Sequence, residues 1–179
     1  MALQERFKNF HNKIKLDYDT NAELREKRDI LCGILSNSDR LPTFEKLDQG
    51  SYSMYTGVIP LDGKEYDIDV GLRFNVCKND YTPLYFKEII QDILKDHTEY
   101  GAEIKKPCVT VTYKKNGEAA FHVDLVTYAY ENPDGHNSQL YLARGKNAAS
   151  EDACWERSDP KGLIDYIMDQ TSAHKEQFR

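Results

Sequence analysis

Two aspartates spaced one residue apart interrupt an otherwise apolar stretch at residues 66–74. Their alternation with Ile68 and Val70 predicts a β-strand whose apolar side chains face a core while Asp67 and Asp69 share the opposite face. The two Cα atoms would stand about 6.6 Å apart, which allows both carboxylates to bind a pair of Mg²⁺ ions about 3.5–4 Å apart. Solvated surface carboxylates are the alternative that the strand alone leaves open.

A third aspartate, later in the chain, also alternates with apolar residues. Asp124 stands between Val123 and Leu125 in an apolar alternation that predicts another strand. If this strand lies beside the one that carries Asp67, three carboxylates meet on one face of the sheet. So much negative charge in one place is unfavourable without bound cations, and the three aspartates therefore favour a divalent metal site.

Gly50 and Ser51, upstream of the first two aspartates, are residue types that can bind phosphate. A glycine lets the backbone approach a ligand closely, and a serine that opens a helical turn offers its hydroxyl and free amides to phosphate oxygens. The alternative is that Gly50 only ends a strand and Ser51 only caps a helix.

The composition is typical of one globular domain, with 179 residues of which 40% are hydrophobic and 30% are charged. A net charge of −6 argues against a protein that coats duplex DNA or RNA, because such binding needs many Lys and Arg side chains to neutralise phosphates. The sequence contains no long apolar run and no secretory signal, so we expect a cytoplasmic protein without a membrane partner. The cysteines lie too far apart for a local zinc or redox pair and are expected to be reduced and buried: Cys32, Cys77, Cys108 and Cys154.

The spacing of apolar residues and turn signals predicts the elements that position these side chains. Helices are predicted at residues 3–16, from Thr20, from Thr82-Pro83 to about His97, and from Ser158-Asp159-Pro160. Short strands are predicted at residues 43–48 and 139–143, and β-hairpins at residues 57–74 around Asp62-Gly63 and at residues 109–130 around Asn116-Gly117. The expected fold is an α/β (α+β) domain, a mixed sheet of about five strands flanked by helices.

In combination these residues resemble a known family. The motifs are Gln49-Gly50-Ser51 with Thr56, then Tyr66-Asp67-Ile68-Asp69-Val70, then Val123-Asp124-Leu125 on a later strand. They are similar to those of the polymerase β-like nucleotidyltransferases, and in particular of the bacterial CD-NTases, the cyclic GMP-AMP synthase-like and oligoadenylate synthase-like branch. The resemblance covers roughly residues 40 to 165 and includes Trp155 with Ser158-Asp159-Pro160, where such enzymes leave the sheet.

The resemblance implies a metal-dependent transfer of a nucleotidyl group from a nucleoside triphosphate, such as ATP or GTP, to a ribose hydroxyl. Asp67 and Asp69 would bridge two Mg²⁺ ions, with Mn²⁺ as an alternative. Asp124 would bind the second metal and help to deprotonate the hydroxyl, while Gly50 and Ser51 would hold the triphosphate. In the bacterial family the product is a cyclic di- or trinucleotide that alerts an effector protein during phage infection (CBASS defence), which implies effector or regulatory partners.

One departure from the family concerns length. Its members usually continue into a second, helical half, whereas this sequence stops at Arg179. We therefore expect residues 1–179 to be a single catalytic domain, either a fragment of a two-lobed enzyme or a natural minimal form, that retains metal and triphosphate binding. Two alternative functions remain: a nucleotide-binding module without turnover, and a glycosyltransferase whose Asp-x-Asp holds a metal and a nucleotide sugar but which would not require Asp124.

Five other side chains have weaker claims to a role in the site. His122 shares a strand face with Asp124 and could touch substrate, but we expect it to be packed and hydrogen-bonded. Trp155 is expected in the core and Tyr128 in sheet packing. Arg144 and Lys146 could reach a triphosphate but are expected in a solvated loop.

Overall fold

The structure is a computed structural model that describes residues 3–15, 18–60, 65–115, 118–134, 138–147 and 152–175. Within these residues the helices are α1 (Leu3–Ile14), α2 (Tyr18–Ser36), α3 (Gly50–Ser53), α4 (Tyr85–Leu94) and α5 (Pro160–Lys175). The strands are β1 (Phe44–Asp48), β2 (Tyr66–Cys77), β3 (Ala102–Ile104), β4 (Val109–Lys115), β5 (Glu118–Tyr130), β6 (Leu140–Ala143) and β7 (Trp155–Ser158). Among the helices described, none is both long and apolar enough to cross a membrane.

All the described strands belong to one mixed sheet. Its main path runs β1-β2-β5-β4-β3, and β6 and β7 extend it from the last residues of β5. The pairing of β2 with β5 is parallel, whereas the other pairings are antiparallel. The expected mixed α/β architecture is confirmed, with two strands more than the predicted five.

One face of the sheet carries the main core. Alternate residues of β2 (Ile68, Val70, Leu72 and Phe74) are 0–1% exposed and pack with the matching rows of β4 and β5. Helices α2 and α4 cover this face, and Phe74 stacks on Phe86 of α4 with ring centroids 4.3 Å apart. Each such buried side chain contributes about 1.5–3 kcal/mol to folding. Asp67 and Asp69 lie on the opposite face of β2.

The predicted hairpin over residues 57–74 is wrong. Val58 forms an isolated antiparallel bridge with Lys15, and the N–H of Ile59 donates to the carbonyl of Ile14 at 2.6 Å. The neighbours of β2 are instead β1 and β5, because both of its edges are occupied by longer-range partners. The expected turn at Asp62-Gly63 lies outside the described residues.

The second predicted hairpin is confirmed, since β4 and β5 pair antiparallel; its turn at Asn116-Gly117 lies outside the described residues. Strands β1 and β6 also form where predicted. Strands β3 and β7 were not predicted, because the three residues of β3 are too few for a period and β7 has no apolar alternation.

The helices form near their predicted positions with small shifts at their starts. Helix α2 begins at Tyr18, ahead of Thr20, and α4 begins at Tyr85, two residues after Pro83. In α5, Pro160 is the first residue and the Asp159 carboxylate accepts a hydrogen bond from the N–H of Gly162 at 2.8 Å, as a capping residue does.

Candidate active site

The parallel pairing of β2 with β5 brings the predicted carboxylates together. Asp69 and Asp124 are direct register partners, and Asp67 lies two residues earlier on the same face of β2. Adjacent strands lie about 4.8 Å apart, and register partners in parallel strands project to the same side. The expectation that Asp124 lies beside the strand of Asp67 is therefore confirmed.

The electrostatics of Asp69 reflect this crowding. Burial, followed by the charges of Asp124 and Asp67, raises the pKa of the Asp69 carboxyl to about 6. Burial and like charges both disfavour the ionised form, so this face of the sheet has negative charge in excess of what its surroundings stabilise. Such a face attracts cations.

Asp124 is held from the neighbouring strand. The hydroxyl of Thr110 on β4 donates to Asp124 Oδ1 at 2.5 Å, and the two residues are register partners. His122 Nε2 lies 4.0 Å from Asp124 Oδ2, on the other side of the carboxylate. Thr110 is a site residue that sequence reasoning missed, because only the pairing register reveals it.

His122 does not match its predicted role as a hydrogen-bonded packing residue. Its Nδ1 is buried without a hydrogen-bond partner in the described structure and lies 3.5 Å from Glu65 Oε2. The ring therefore stands between two carboxylates, those of Glu65 and Asp124.

Gly50 lies directly against Asp69. It is the first residue of α3 and has a φ of 68°, and a Cβ at this position would lie 1.9 Å from Asp69 Oδ2. Only glycine fits both the dihedral angle and the space. The Ser51 carbonyl accepts a hydrogen bond from the N–H of Thr56 at 2.9 Å, which closes the turn behind the glycine.

Gln49 and Tyr128 connect this turn to the sheet. The Tyr128 hydroxyl donates to Gln49 Oε1 at 3.1 Å. Both groups lie over Gly71, where an added Cβ would meet Gln49 Oε1 at 2.9 Å and the Tyr128 ring at 3.0 Å. Tyr128 is 3% exposed, as its predicted packing role requires, but its hydroxyl also positions the turn. Its place four residues after Asp124 on an alternating strand was the available signal.

A cleft of about 410 Å³ opens beside Gly50. Its wall is formed by the turn at Gln49, by Tyr128, and by the start of α5 with Asp159 and Leu163. Mixed polar and apolar walls of this kind are typical of small-molecule sites.

The three carboxylates fit Mg²⁺ in chemistry, because hard divalent cations prefer oxygen ligands. They also fit in register and in charge, as the raised pKa of Asp69 indicates. Over the part of the chain that the structure describes, however, no group of three or more His, Cys, Asp or Glu side chains is placed to hold a metal ion together. The three carboxylates would therefore have to shift from these positions to bind one ion together.

The remaining predictions have mixed outcomes. Trp155 packs against the core and donates its indole N–H to the Tyr81 carbonyl at 3.0 Å. Arg144 pairs with Glu156 at 2.5 Å rather than being free in solvent, whereas Lys146 is exposed as expected. The four cysteines are free, but only Cys32 and Cys108 are buried; Cys77 is half-buried and Cys154 is exposed.

Comparison with known proteins agrees with this geometry. Residues 43–128 match the family model described as cyclic GMP-AMP synthase DncV-like, nucleotidyltransferase domain. A c-di-GMP synthase of Roseivirga ehrenbergii is 28% identical over 123 residues, which are 68% of this chain and 30% of that protein.

Solved structures share the fold. Apo DncV from Vibrio cholerae matches with a TM-score of 0.63 and 19% identity, over 89% of this chain and 58% of that one. CdnC from E. coli MS115-1, solved in a complex named CdnC:HORMA-deltaN, matches with a TM-score of 0.65 and 18% identity, over 97% and 52%. CdnG from Bradyrhizobium diazoefficiens, solved with GTP, matches with a TM-score of 0.67 and 15% identity, over 86% and 43%.

This chain thus spans less than a third of the curated relative and roughly half of each structure. The family match covers both strands that carry the three aspartates, as well as the turn at Gly50. Residues 43–128 of this chain are therefore similar to the nucleotidyltransferase domain of the DncV-like family, and the solved structures show that the chain has the fold of these nucleotidyltransferases.

Proposed function

We propose that this protein is a Mg²⁺-dependent nucleotidyltransferase that transfers a nucleoside monophosphate from a triphosphate to a ribose hydroxyl and forms a cyclic di- or trinucleotide. The observation that carries this proposal is the register pairing of Asp69 with Asp124, beside Asp67, within the stretch that matches the family. Two solved DncV structures are described with ATP and GTP, and with a linear pppApG intermediate, which supports nucleotide substrates for this chain.

Each site residue has a role in this proposal. Asp67, Asp69 and Asp124 would hold two divalent ions, Mg²⁺ or Mn²⁺. Bound metal would offset the developing charge on the phosphate oxygens and lower the pKa of the attacking hydroxyl. Asp124 would accept the proton of that hydroxyl.

The turn at Gly50 would hold the triphosphate. The amides at Gly50 and Ser51 and the Ser51 hydroxyl would donate to phosphate oxygens, since the first amides of a helical turn have no partner within the turn. The contact of Gly50 with Asp69 supports this role, because it keeps the phosphate-binding turn next to the carboxylates. The adjacent cleft of about 410 Å³ would receive the rest of the nucleotide.

Pyrophosphate release tests the proposal. The protein is incubated with Mg²⁺ and labelled ATP plus GTP, beside the double variant Asp67→Ala, Asp69→Ala and the control Asp39→Ala, which alters an exposed aspartate in the turn after α2. We expect the double variant to lose at least about a hundredfold in rate, because metal-ion stabilisation contributes several kcal/mol. Tight ATP binding with no pyrophosphate release would instead support a binding-only module.

The biological role we propose is synthesis of a cytoplasmic second messenger in antiviral defence, read by an effector protein. The likeness to a c-di-GMP synthase supports it. Cells that carry the intact gene with its genomic neighbours should plate phage less efficiently than cells that carry Asp69→Ala. Equal plating of both would count against the defence role without affecting the proposed chemistry.

A further inference from the structure

Asp124 is bound from the side by a short chain of buried polar groups, Thr110 on β4 and Cys108 just before that strand. Thr110 is 2% exposed, and its hydroxyl lies 2.5 Å from Asp124 Oδ1. Cys108 is 3% exposed, and its Sγ lies 3.5 Å from the same hydroxyl oxygen. The three residues thus form a continuous line of polar side chains on the face of the sheet that carries Asp124.

The direction of these hydrogen bonds follows from their chemistry. An ionised carboxylate can only accept, so the single hydroxyl hydrogen of Thr110 is donated to Asp124. The Thr110 oxygen is then left to accept from the thiol of Cys108. Since all donors point towards the carboxylate, the chain of hydrogen bonds holds Asp124 in one orientation.

In that orientation the two oxygens of the Asp124 carboxylate have different neighbours. Oδ1 is bound to Thr110, while Oδ2 lies on the side of His122, 4.0 Å from its Nε2. A free aspartate side chain on a strand can rotate, and a metal ligand or proton acceptor is effective only when held close to its working geometry.

We propose that Thr110 is a positioning residue for Asp124 in the transfer reaction, with Cys108 orienting Thr110 in turn. This inference rests on the proposed function. Thr110 does not contact substrate; it fixes one carboxylate oxygen so that the other is presented to metal and to the ribose hydroxyl. Groups that orient metal ligands in this way typically contribute 10–100-fold in metal affinity or activity, by an order-of-magnitude estimate.

The test compares Thr110→Val, which keeps the shape without the hydroxyl, with Thr110→Ser, which keeps the hydroxyl. Thr112→Val is the matched control, because Thr112 lies on the same face of β4 and pairs with His122 instead. We expect Thr110→Val to lower kcat by about 10–100-fold with little change in the KM for nucleotide. Thr110→Ser should stay within about threefold of the unaltered protein, by the same estimate.

A second readout does not depend on turnover. Mn²⁺ binding, followed by electron paramagnetic resonance, should weaken about 10–100-fold in Thr110→Val and remain near normal in Thr110→Ser and Thr112→Val. If the unaltered protein binds Mn²⁺ but makes no pyrophosphate, the proposed function fails while this test of Thr110 still stands.

Cys108→Ala is the second variant, used if Thr110→Val does not fold. It removes the donor to Thr110 and leaves the hydroxyl bond to Asp124 in place, so Mn²⁺ affinity should fall by a smaller factor, about two- to fivefold. Unchanged Mn²⁺ affinity and unchanged kcat in a folded Thr110→Val protein would overturn the inference. If Thr110→Val does not fold, unchanged Mn²⁺ affinity in Cys108→Ala would overturn it.

Discussion

Asp69 stands in line with Asp124 and two residues from Asp67, and its raised pKa makes folding sensitive to pH. Because its folded pKa, about 6, lies above the usual 3.8, folding favours the protonated form. The resulting stability is complete below about pH 4 and is lost as the pH rises through 6. In metal-free protein, the free energy of unfolding of Asp69→Asn should therefore be about 3 kcal/mol larger than that of the unaltered protein at pH 7.5 and nearly equal to it at pH 4.

Urea denaturation in the presence of EDTA, at pH 4 and pH 7.5, measures this difference. Asp39→Asn serves as the control, because Asp39 is exposed. Asp69→Asn protein that is less stable than the unaltered protein at pH 7.5 would show that the negative charge on this face is already compensated without metal.

Gly50 allows a second prediction for a single residue. Gly50→Ala would bring a Cβ to 1.9 Å from Asp69 Oδ2 at a φ of 68°, so the turn or the carboxylate must move. We expect a loss of about 1–2 kcal/mol in stability and a large fall in nucleotide transfer. Gly33→Ala is the matched control in α2; nothing lies within 4 Å of its added Cβ, and it should gain about 0.5–1 kcal/mol.

Thermal melts and pyrophosphate release on both variants measure these effects. The account of the turn would be wrong if Gly50→Ala retained normal transfer while Gly33→Ala behaved as expected.

The same two glycines illustrate what could be predicted from sequence. Gly50 was singled out because glycine permits close approach, and the structure has such an approach to the Asp69 carboxylate. Asp69 is 19 residues away along the chain, and only the tertiary fold brings the two together.

At the scale of elements, α4 is joined to two loops through a single lysine. Lys87 is 0% exposed and donates to the carbonyls of Lys105, Lys106 and Gly145 at 2.7, 3.1 and 2.7 Å. Burial lowers its pKa to about 8, so the amine is still mostly protonated at neutral pH, as these three acceptors require. The lysine holds in place the loop that leads into β4, and therefore into Thr110.

Lys87→Met should lower the free energy of unfolding by about 2–4 kcal/mol, because buried carbonyl oxygens lose their donor. Lys95→Met, directly after the end of the same helix, removes a surface ion pair with Asp92 and should change the stability far less than Lys87→Met does. Guanidinium denaturation of the two variants measures the contrast. Equal stabilities would mean that the carbonyls find other donors.

The strands show why the existence of a strand was easier to predict from sequence than the strand with which it pairs and the register of that pairing. Period-two alternation in β2 and β5 correctly assigned Asp67, Asp69 and Asp124 to one face. The hairpin turn, however, pairs Lys115 with Glu118, and that register continued without a break would place Asp124 opposite Val109. A shift between Tyr113 and Lys114 brings Thr110 opposite Asp124 instead, and nothing in the local sequence specifies that irregularity.

The failure of the first predicted hairpin has a similar cause. An Asp-Gly signal describes a local turn, but the pairing of β2 is decided by apolar burial between distant strands. Parallel pairing with β5 is a long-range contact, which turn chemistry cannot specify.

For the molecule as a whole, we propose that residues 1–179 behave as one catalytic domain built on a single sheet. Far-ultraviolet and near-ultraviolet circular dichroism should then lose their signals in one coincident thermal transition. Two separated transitions would contradict a single domain. This test bears on the chain as it is, which spans roughly half the length of the solved relatives.

Helix α1 is the described helix whose position packing against the sheet explains least. None of its residues is buried, and Leu3, Phe7 and Phe10 are 59–71% exposed. Its helical spacing was predicted correctly, but spacing alone does not determine what covers an apolar face.

The central claim is that Asp67, Asp69 and Asp124 gather around divalent ions beside the turn at Gly50. A crystal structure of the protein with Mn²⁺ and a non-hydrolysable nucleoside triphosphate tests it most directly, because anomalous scattering locates the metal independently of the chain. The account predicts Mn²⁺ at about 2.0–2.3 Å from oxygens of all three carboxylates, with the triphosphate against Ser51. A nucleotide bound with its metal away from β2 and β5, or bound with no metal at these aspartates, would contradict it.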